Sequence, residues 1–189
     1  YDMERRQREL RKEQQVPSGH DPDDYVTRRL HLPASDGELV PISILHRKDT
    51  PLDGSAPVLL YGYGAYGISI PASFGTPRLS LVDRGFIYAI AHIRGGMEKG
   101  YRWYRGGRMD NKKNSFADFI TVAEGLISER LSSAGRIVAH GGSAGGMLMG
   151  TVANLRPDLF GAVLADVPFV DVLNTMLDDA LPLTPPEWQ

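Results

Sequence analysis

Between residues 25 and 46 the apolar positions fall on alternate residues. Val26, Leu30 and Leu32 share one parity, and Val40, Ile42 and Ile44 share another after Ser35-Asp36-Gly37-Glu38. Period-two alternation on both sides of an Asp-Gly turn predicts an antiparallel hairpin, which can sit at one edge of an otherwise parallel sheet. His31 and His46 fall in these strands and read as surface or edge residues. Further along, residues 57–61, 85–92, 137–139 and 161–165 are short unbroken apolar runs. Such runs predict strands covered on both faces. Between them the period changes. Phe116, Phe119, Ile120, Ala123, Leu126 and Ile127 recur at helical spacing, behind a Ser115-Phe-Ala-Asp118 stretch with the form of a capping box. Residues 147–155 suit a helix that stops at Arg156-Pro157-Asp158, and 174–181 suit another that ends at the prolines from Pro182. The order is hairpin, strand, strand, helix, strand, helix, strand. It predicts an α/β protein with a mostly parallel sheet and helices on both faces.

The polar stretches change this picture only at the N-terminal end. Residues 1–15 mix charges of both signs and read either as an exposed helix with i,i+4 pairs or as the end of a preceding domain. Val16-Pro17-Ser18-Gly19-His20-Asp21-Pro22-Asp23 then punctuates the chain as a linker. Residues 99–113 are basic with interleaved aromatics, but the net charge of −2 favours a solvated excursion over a nucleic-acid surface. No apolar run approaches a membrane span, and cysteine is absent, so neither a disulfide framework nor a thiolate metal site is expected. The expectation is a protein with no cofactor, no metal, no nucleic-acid partner and no membrane partner. Without cysteine or a visible export signal, the expected compartment is the cytoplasm.

The chemistry gathers at Gly141-Gly142-Ser143-Ala144-Gly145, between the strand at 137–139 and the following helix. A G-x-S-x-G sequence in a strand–turn–helix context has the form of a nucleophile elbow. The serine must sit on a tight, strained turn, and small residues two positions either side avoid the adjoining strand and helix. The helix N-terminus behind the serine offers free N–H groups to an oxyanion. A second glycine-rich loop, Gly62-Tyr63-Gly64-Ala65-Tyr66-Gly67, follows the strand at 57–61. It occupies the place in the chain order from which an α/β-hydrolase draws its second oxyanion donor, and Tyr63 is the candidate. Arg94 and Glu98, in the loop after the strand at 85–92, read either as substrate contacts or as a pair holding that loop, and the second reading is favoured.

Five motifs in this order and spacing resemble the prolyl oligopeptidase family, in its oligopeptidase B branch. They are Gly62-Tyr-Gly-Ala-Tyr-Gly67, His92-Ile-Arg-Gly-Gly96, Asn111-Lys-Lys-Asn-Ser-Phe116, Gly141-Gly-Ser-Ala-Gly-Gly-Met147 and Val167-Pro-Phe-Val-Asp171. The resemblance implies a serine peptidase with an α/β-hydrolase fold, here incomplete at its C-terminal side. Residues 1–15 would be the end of a β-propeller domain, 16–24 a linker, and 25–189 the first part of the peptidase domain. It implies Ser143 as nucleophile, with the Ala144 amide and the Tyr63 hydroxyl as the oxyanion hole. It implies short peptide substrates cut after Arg or Lys, with Glu187 binding the basic side chain. Some relatives carry an acidic pair at the places of Pro71 and Ser73, so a preference for dibasic sites is not expected. Other readings of the elbow are an acylaminoacyl-peptidase, an esterase or a non-catalytic binding module.

In α/β-hydrolases the triad runs Ser, then Asp or Glu, then His. All five histidines precede Ser143 here. The resemblance implies a catalytic Asp and His beyond Gln189, so these 189 residues alone are expected to be inert and prone to aggregate.

Overall fold

The computed structural model describes residues 1–17, 19–182 and 184. Its centre is a six-stranded sheet in the order β1-β2-β4-β3-β5-β6, where β1 is Tyr25–Pro33, β2 Leu39–Arg47, β3 Val58–Tyr61, β4 Ile87–Ala91, β5 Ile137–Gly142 and β6 Phe160–Asp166. β1 and β2 form the expected antiparallel hairpin, with Val26 opposite His46 and Leu32 opposite Val40. β2 joins β4 antiparallel, and every later pairing is parallel.

Strand parity divides the core. Val58, Leu60, Ile87, Ala89, Ile137 and Ala139 point to one face, where Phe119, Val122, Leu126, Leu148 and Met149 meet them. Those covering residues come from α3, Lys112–Ser128, and α4, Ala144–Leu155. The alternate residues Leu59, Tyr88, Ile90, Leu45 and Val138 point to the other face and pack with Val82 of α1, Thr76–Val82. The central strands of the sheet are therefore covered from both sides, as their unbroken apolar runs require.

Several local expectations are corrected. α1 and α2, Tyr101–Arg105, were not expected. Within α2, Trp103 is buried and its indole N–H donates to the His92 carbonyl at 3.0 Å, so the basic stretch is only partly solvated. α3 starts a turn earlier than its apolar rhythm, and Ser115 caps nothing. Its hydroxyl lies inside the helix and donates to the Arg94 and Gly107 carbonyls. His46 is buried and lies on an internal strand, because β2 stands between β1 and β4. His31 is exposed, as expected. The run at 161–165 is a strand, but one bordered, among the described residues, only by β5 and mostly exposed. The last helix, α5, is Val172–Leu177 rather than 174–181. No helix forms over residues 1–15, where a turn is closed by paired Asp2 and Gln7.

The loops after the parallel strands β3, β4, β5 and β6 all leave the same edge of the sheet. Open α/β sheets place their ligands at that edge.

Candidate active site

Ser143 stands between β5 and α4, with its backbone in a strained conformation. It has φ +55° and ψ −118°, in the region costly for any residue with a Cβ. The neighbours show what enforces it. A Cβ at Gly141 would come within 2.6 Å of the Gly145 carbonyl oxygen and 2.9 Å of that of Gly62, and a Cβ at Gly145 within 2.8 Å of the latter. Both positions therefore require glycine, for the steric reason the sequence suggested. The Ser143 amide donates to the Asp166 carbonyl at 2.9 Å, and its own carbonyl accepts from Gly146, Met147 and Phe169. The strained turn is thus held by bonds to α4 and to the chain leaving β6, while the side chain stays exposed.

Tyr63 lies beside this turn. A Cβ on Gly145 would meet the Tyr63 ring at 3.3 Å and its Cα at 3.4 Å. Burial, with a smaller effect from Tyr61, raises the Tyr63 phenol above its ordinary value, so it keeps its proton and can donate. Ala144 is the first residue of α4 and is buried. First-turn amides have no intrahelical partner, so its N–H is available on the same side of the elbow. Ser143, Tyr63 and Ala144 are thus brought together. Glu187 lies outside the described residues. Pro71 and Ser73 are exposed in the loop before α1.

Among the described residues, no side chain hydrogen-bonds the Ser143 hydroxyl. His140 is turned elsewhere. Its Nε2 meets Asp166 Oδ2 at 2.7 Å, and its ring packs edge-on to Tyr61. His92 is buried and shares hydrogen bonds with the Ser43 hydroxyl at 2.8 Å and with Glu98 at 3.4 Å. It supports the β4 end and does not reach the elbow.

Arg94 and Glu98 do hold the loop after β4, but not as a pair. Glu98 accepts from the Ile70 amide at 3.0 Å as well as meeting His92. Arg94 is buried, and its guanidinium bonds fully buried Asp118 of α3 through Nε at 2.9 Å and Nη2 at 2.5 Å. It also bonds Asp36 of the hairpin turn. Burial lowers the Arg94 pKa, and the bonds to Asp118 and Asp36 outweigh it, so the net shift is upward. This brace was missed in the sequence. The loop it fixes carries the Tyr63 loop in turn, because the Gly67 amide donates to the Gly95 carbonyl at 2.9 Å.

A groove of about 690 Å³ opens between β1, β2 and the loop before α1, near Tyr25, Ser43 and Arg78. It has no residue in common with the elbow or the Tyr63 loop. Among the described residues there is no cluster of three or more His, Asp or Glu able to hold a metal ion, and no helix long and apolar enough to cross a membrane.

A family model described as the prolyl oligopeptidase family matches residues 72–189. The chain is 49% identical over 178 residues to the dipeptidyl aminopeptidase BI of Pseudoxanthomonas mexicana, covering 94% of this chain and 24% of that protein. It is 41% identical over 173 residues to protease 2 of Moraxella lacunata, covering 92% and 25%. Among solved structures, oligopeptidase B of Leishmania major matches with a TM-score of 0.90 and 46% identity, over 94% of this chain and 25% of that one. Oligopeptidase B of Trypanosoma brucei, with covalently bound antipain, matches with a TM-score of 0.90 and 49% identity over the same shares. The chain spans about a quarter of the length of these relatives.

Proposed function

The chain belongs to the prolyl oligopeptidase family, and from that premise we propose that it is part of a serine peptidase that cuts short peptides after Arg or Lys. The observation that carries this reading is the exposed Ser143 on its positive-φ elbow, with Tyr63 and the start of α4 beside it. In the proposed reaction Ser143 Oγ attacks the scissile carbonyl carbon, and its proton passes to a histidine supplied by the rest of the polypeptide. The carbonyl oxygen becomes an oxyanion that accepts from the Ala144 amide and the Tyr63 hydroxyl. Collapse of this adduct expels the amine with that proton and leaves an acyl-enzyme, which water hydrolyses. Residues 1–15 and 16–24 are the proposed exit from a β-propeller and its linker, and Glu187 is the proposed partner of the basic side chain.

The test uses the full-length protein. A fluorophosphonate should label Ser143, and an N-blocked arginyl or lysyl amide should be cleaved well ahead of a prolyl amide. A protein that takes no label is a binding module, and preferred cleavage after proline removes the Arg/Lys assignment. The 49% identity to a relative named as a dipeptidyl aminopeptidase favours a second reading, release of dipeptides from free N-termini. Comparing the same dipeptidyl amide with a free and a blocked amino group separates the two.

Tyr63→Phe keeps the ring and deletes only the donor. It should lower kcat by about 10²–10³-fold, the usual cost of one oxyanion donor, with little change in KM. An unchanged kcat removes Tyr63 from the mechanism.

The 189 residues by themselves should neither hydrolyse these amides nor remain monomeric. Among the described residues β6 pairs only with β5, and Leu164 in it and Val167, Leu173 and Leu177 after it are 47%, 85%, 70% and 72% exposed. An unpaired apolar edge templates association. Size-exclusion chromatography showing a monomer that cleaves an arginyl amide overturns both expectations.

A further inference from the structure

Tyr63 is flanked by Gly62 and Gly64, and Gly64 has φ +69°. Residues without a Cβ leave a loop many backbone states, so a donor carried between two of them is aimed only if the loop is tied from outside. Main-chain bonds hold its two ends, from the Gly62 amide to the His140 carbonyl and from the Gly67 amide to the Gly95 carbonyl, and further ties come from α3. A Cβ at Gly62 would strike the Phe119 ring at 2.7 Å, so the helix packs flush against the start of the loop. One turn from the helix start, Phe116 lies under Lys112, whose Nζ is 5.8 Å from the ring centroid. Lys112 itself reaches over and donates to the Gly64 carbonyl at 2.6 Å. Positions 112, 116 and 119 are spaced i, i+4, i+7, a single stripe of the helix directed at the loop.

Lys112 is placed at a cost. It is half-buried, and among the described residues no carboxylate pairs with it. Burial brings its ammonium down to about 8. A lysine on a helix surface normally keeps its charge in water, so an unpaired cation drawn into the protein needs a compensating contact. The contact present is the carbonyl immediately after Tyr63.

We propose that Lys112 is a positioning residue, which holds the Gly64 carbonyl and so aims the Tyr63 hydroxyl at the oxyanion formed on attack by Ser143. This rests on the serine-peptidase reading above. A misplacement of about 1 Å at a catalytic donor can cost on the order of 10²-fold in rate, and the donor is worth about 10²–10³-fold in all. Lys112→Met should therefore lower kcat by about 10–100-fold with KM little changed.

The experiment is a double-mutant cycle in the full-length protein with an arginyl amide, combining Lys112→Met and Tyr63→Phe, after fluorophosphonate labelling of the unmodified protein. With the Tyr63 hydroxyl already gone, Lys112→Met should change kcat by less than about twofold, because the two residues act as a unit. Lys112→Gln, which is too short for the bond but keeps a polar group at the position, should behave in the same way and serves if the methionine variant fails to fold. Equal losses in both backgrounds, or no loss in the first, overturn the role of Lys112 while leaving the peptidase reading intact. Absence of label at Ser143 overturns the peptidase reading and the role of Lys112 with it.

Discussion

Ser143→Ala in the full-length protein should lower turnover of an arginyl amide by about 10⁶-fold and abolish fluorophosphonate labelling. The size follows from what remains. Without the hydroxyl no acyl-enzyme can form, and the oxyanion donors and substrate contacts give only the residual rate of bound water. The fold should not register the change. The Ser143 side chain is exposed and, among the described residues, its hydroxyl is bonded to no side chain, whereas the turn is held by main-chain bonds to Asp166, Gly146, Met147 and Phe169. The thermal midpoint should therefore stay within about 2 °C, since exposed positions away from special contacts shift stability by no more than about 0.5 kcal/mol. Turnover above about one per cent of the unmodified rate, with the variant shown to be free of parent enzyme, excludes Ser143 as the nucleophile.

The elbow was legible because the residues that announce it are local, although Gly62, Asp166 and Phe169 also hold it from a distance. Gly141, Ser143 and Gly145 lie within five residues, and the strand before and the helix after them are apolar enough to identify by pattern. The hairpin was legible for the same reason: its register follows from alternation around one Asp-Gly turn. The apolar runs gave the strands but not their surroundings. The run at 161–165 has the composition of a covered strand, yet among the described residues β6 has a neighbour on one side only, and lateral position in a sheet leaves no mark in a single strand's composition. α1 had a local signal that went unread, a proline in its first turn after Gly75. α2 had none, since Trp103 is buried among charged neighbours by packing against the β4 end and by a bond to the His92 carbonyl.

The least legible part is the support behind the site. Ser115 and Asp118 have the spacing of one local device, a capping box. Their partners are instead on the loop after β4, 21 and 24 residues away, and Arg94 also reaches Asp36, 58 residues away. Pairings of that kind depend on how strands are ordered in space. The same holds for Lys112, whose partner is 48 residues distant. Local chemistry gave the reacting group, and the groups that aim it appeared only once the sheet was assembled.

Asp118→Ala should be the most destabilising single change at this edge. Asp118 is fully buried and accepts from three donors of Arg94: the amide at 2.9 Å to Oδ2, Nε at 2.9 Å to Oδ2 and 3.1 Å to Oδ1, and Nη2 at 2.5 Å to Oδ1. Truncation leaves a buried guanidinium with Asp36 as its one carboxylate partner among the described residues, and breaking a buried pair from one side costs about 3–5 kcal/mol. For a domain of this size class that is a fall in Tm on the order of 10 °C. Arg94→Met with Asp118→Leu removes both charges together and should recover part of the loss, though not the bond to the Arg94 amide. The Asp36 contact carries a pH signature. Its carboxyl is held below the ordinary value, chiefly by the hydrogen bond from Arg94. That contribution is fully present above the unfolded carboxylate's pKa and is lost as pH falls through the depressed native one. Acidification should therefore destabilise Asp118→Ala more steeply than the unmodified protein, because in the variant Asp36 is the remaining partner of Arg94. Activity should fall alongside stability, since the Arg94 loop holds Gly67 through the Gly95 carbonyl and so bears on Tyr63. Thermal melts of the full-length variants from neutral pH down to below the ordinary carboxylate range, where the depressed Asp36 takes up its proton, decide the matter when read beside kcat at neutral pH. A Tm within about 3 °C of the unmodified protein would show that the brace contributes little.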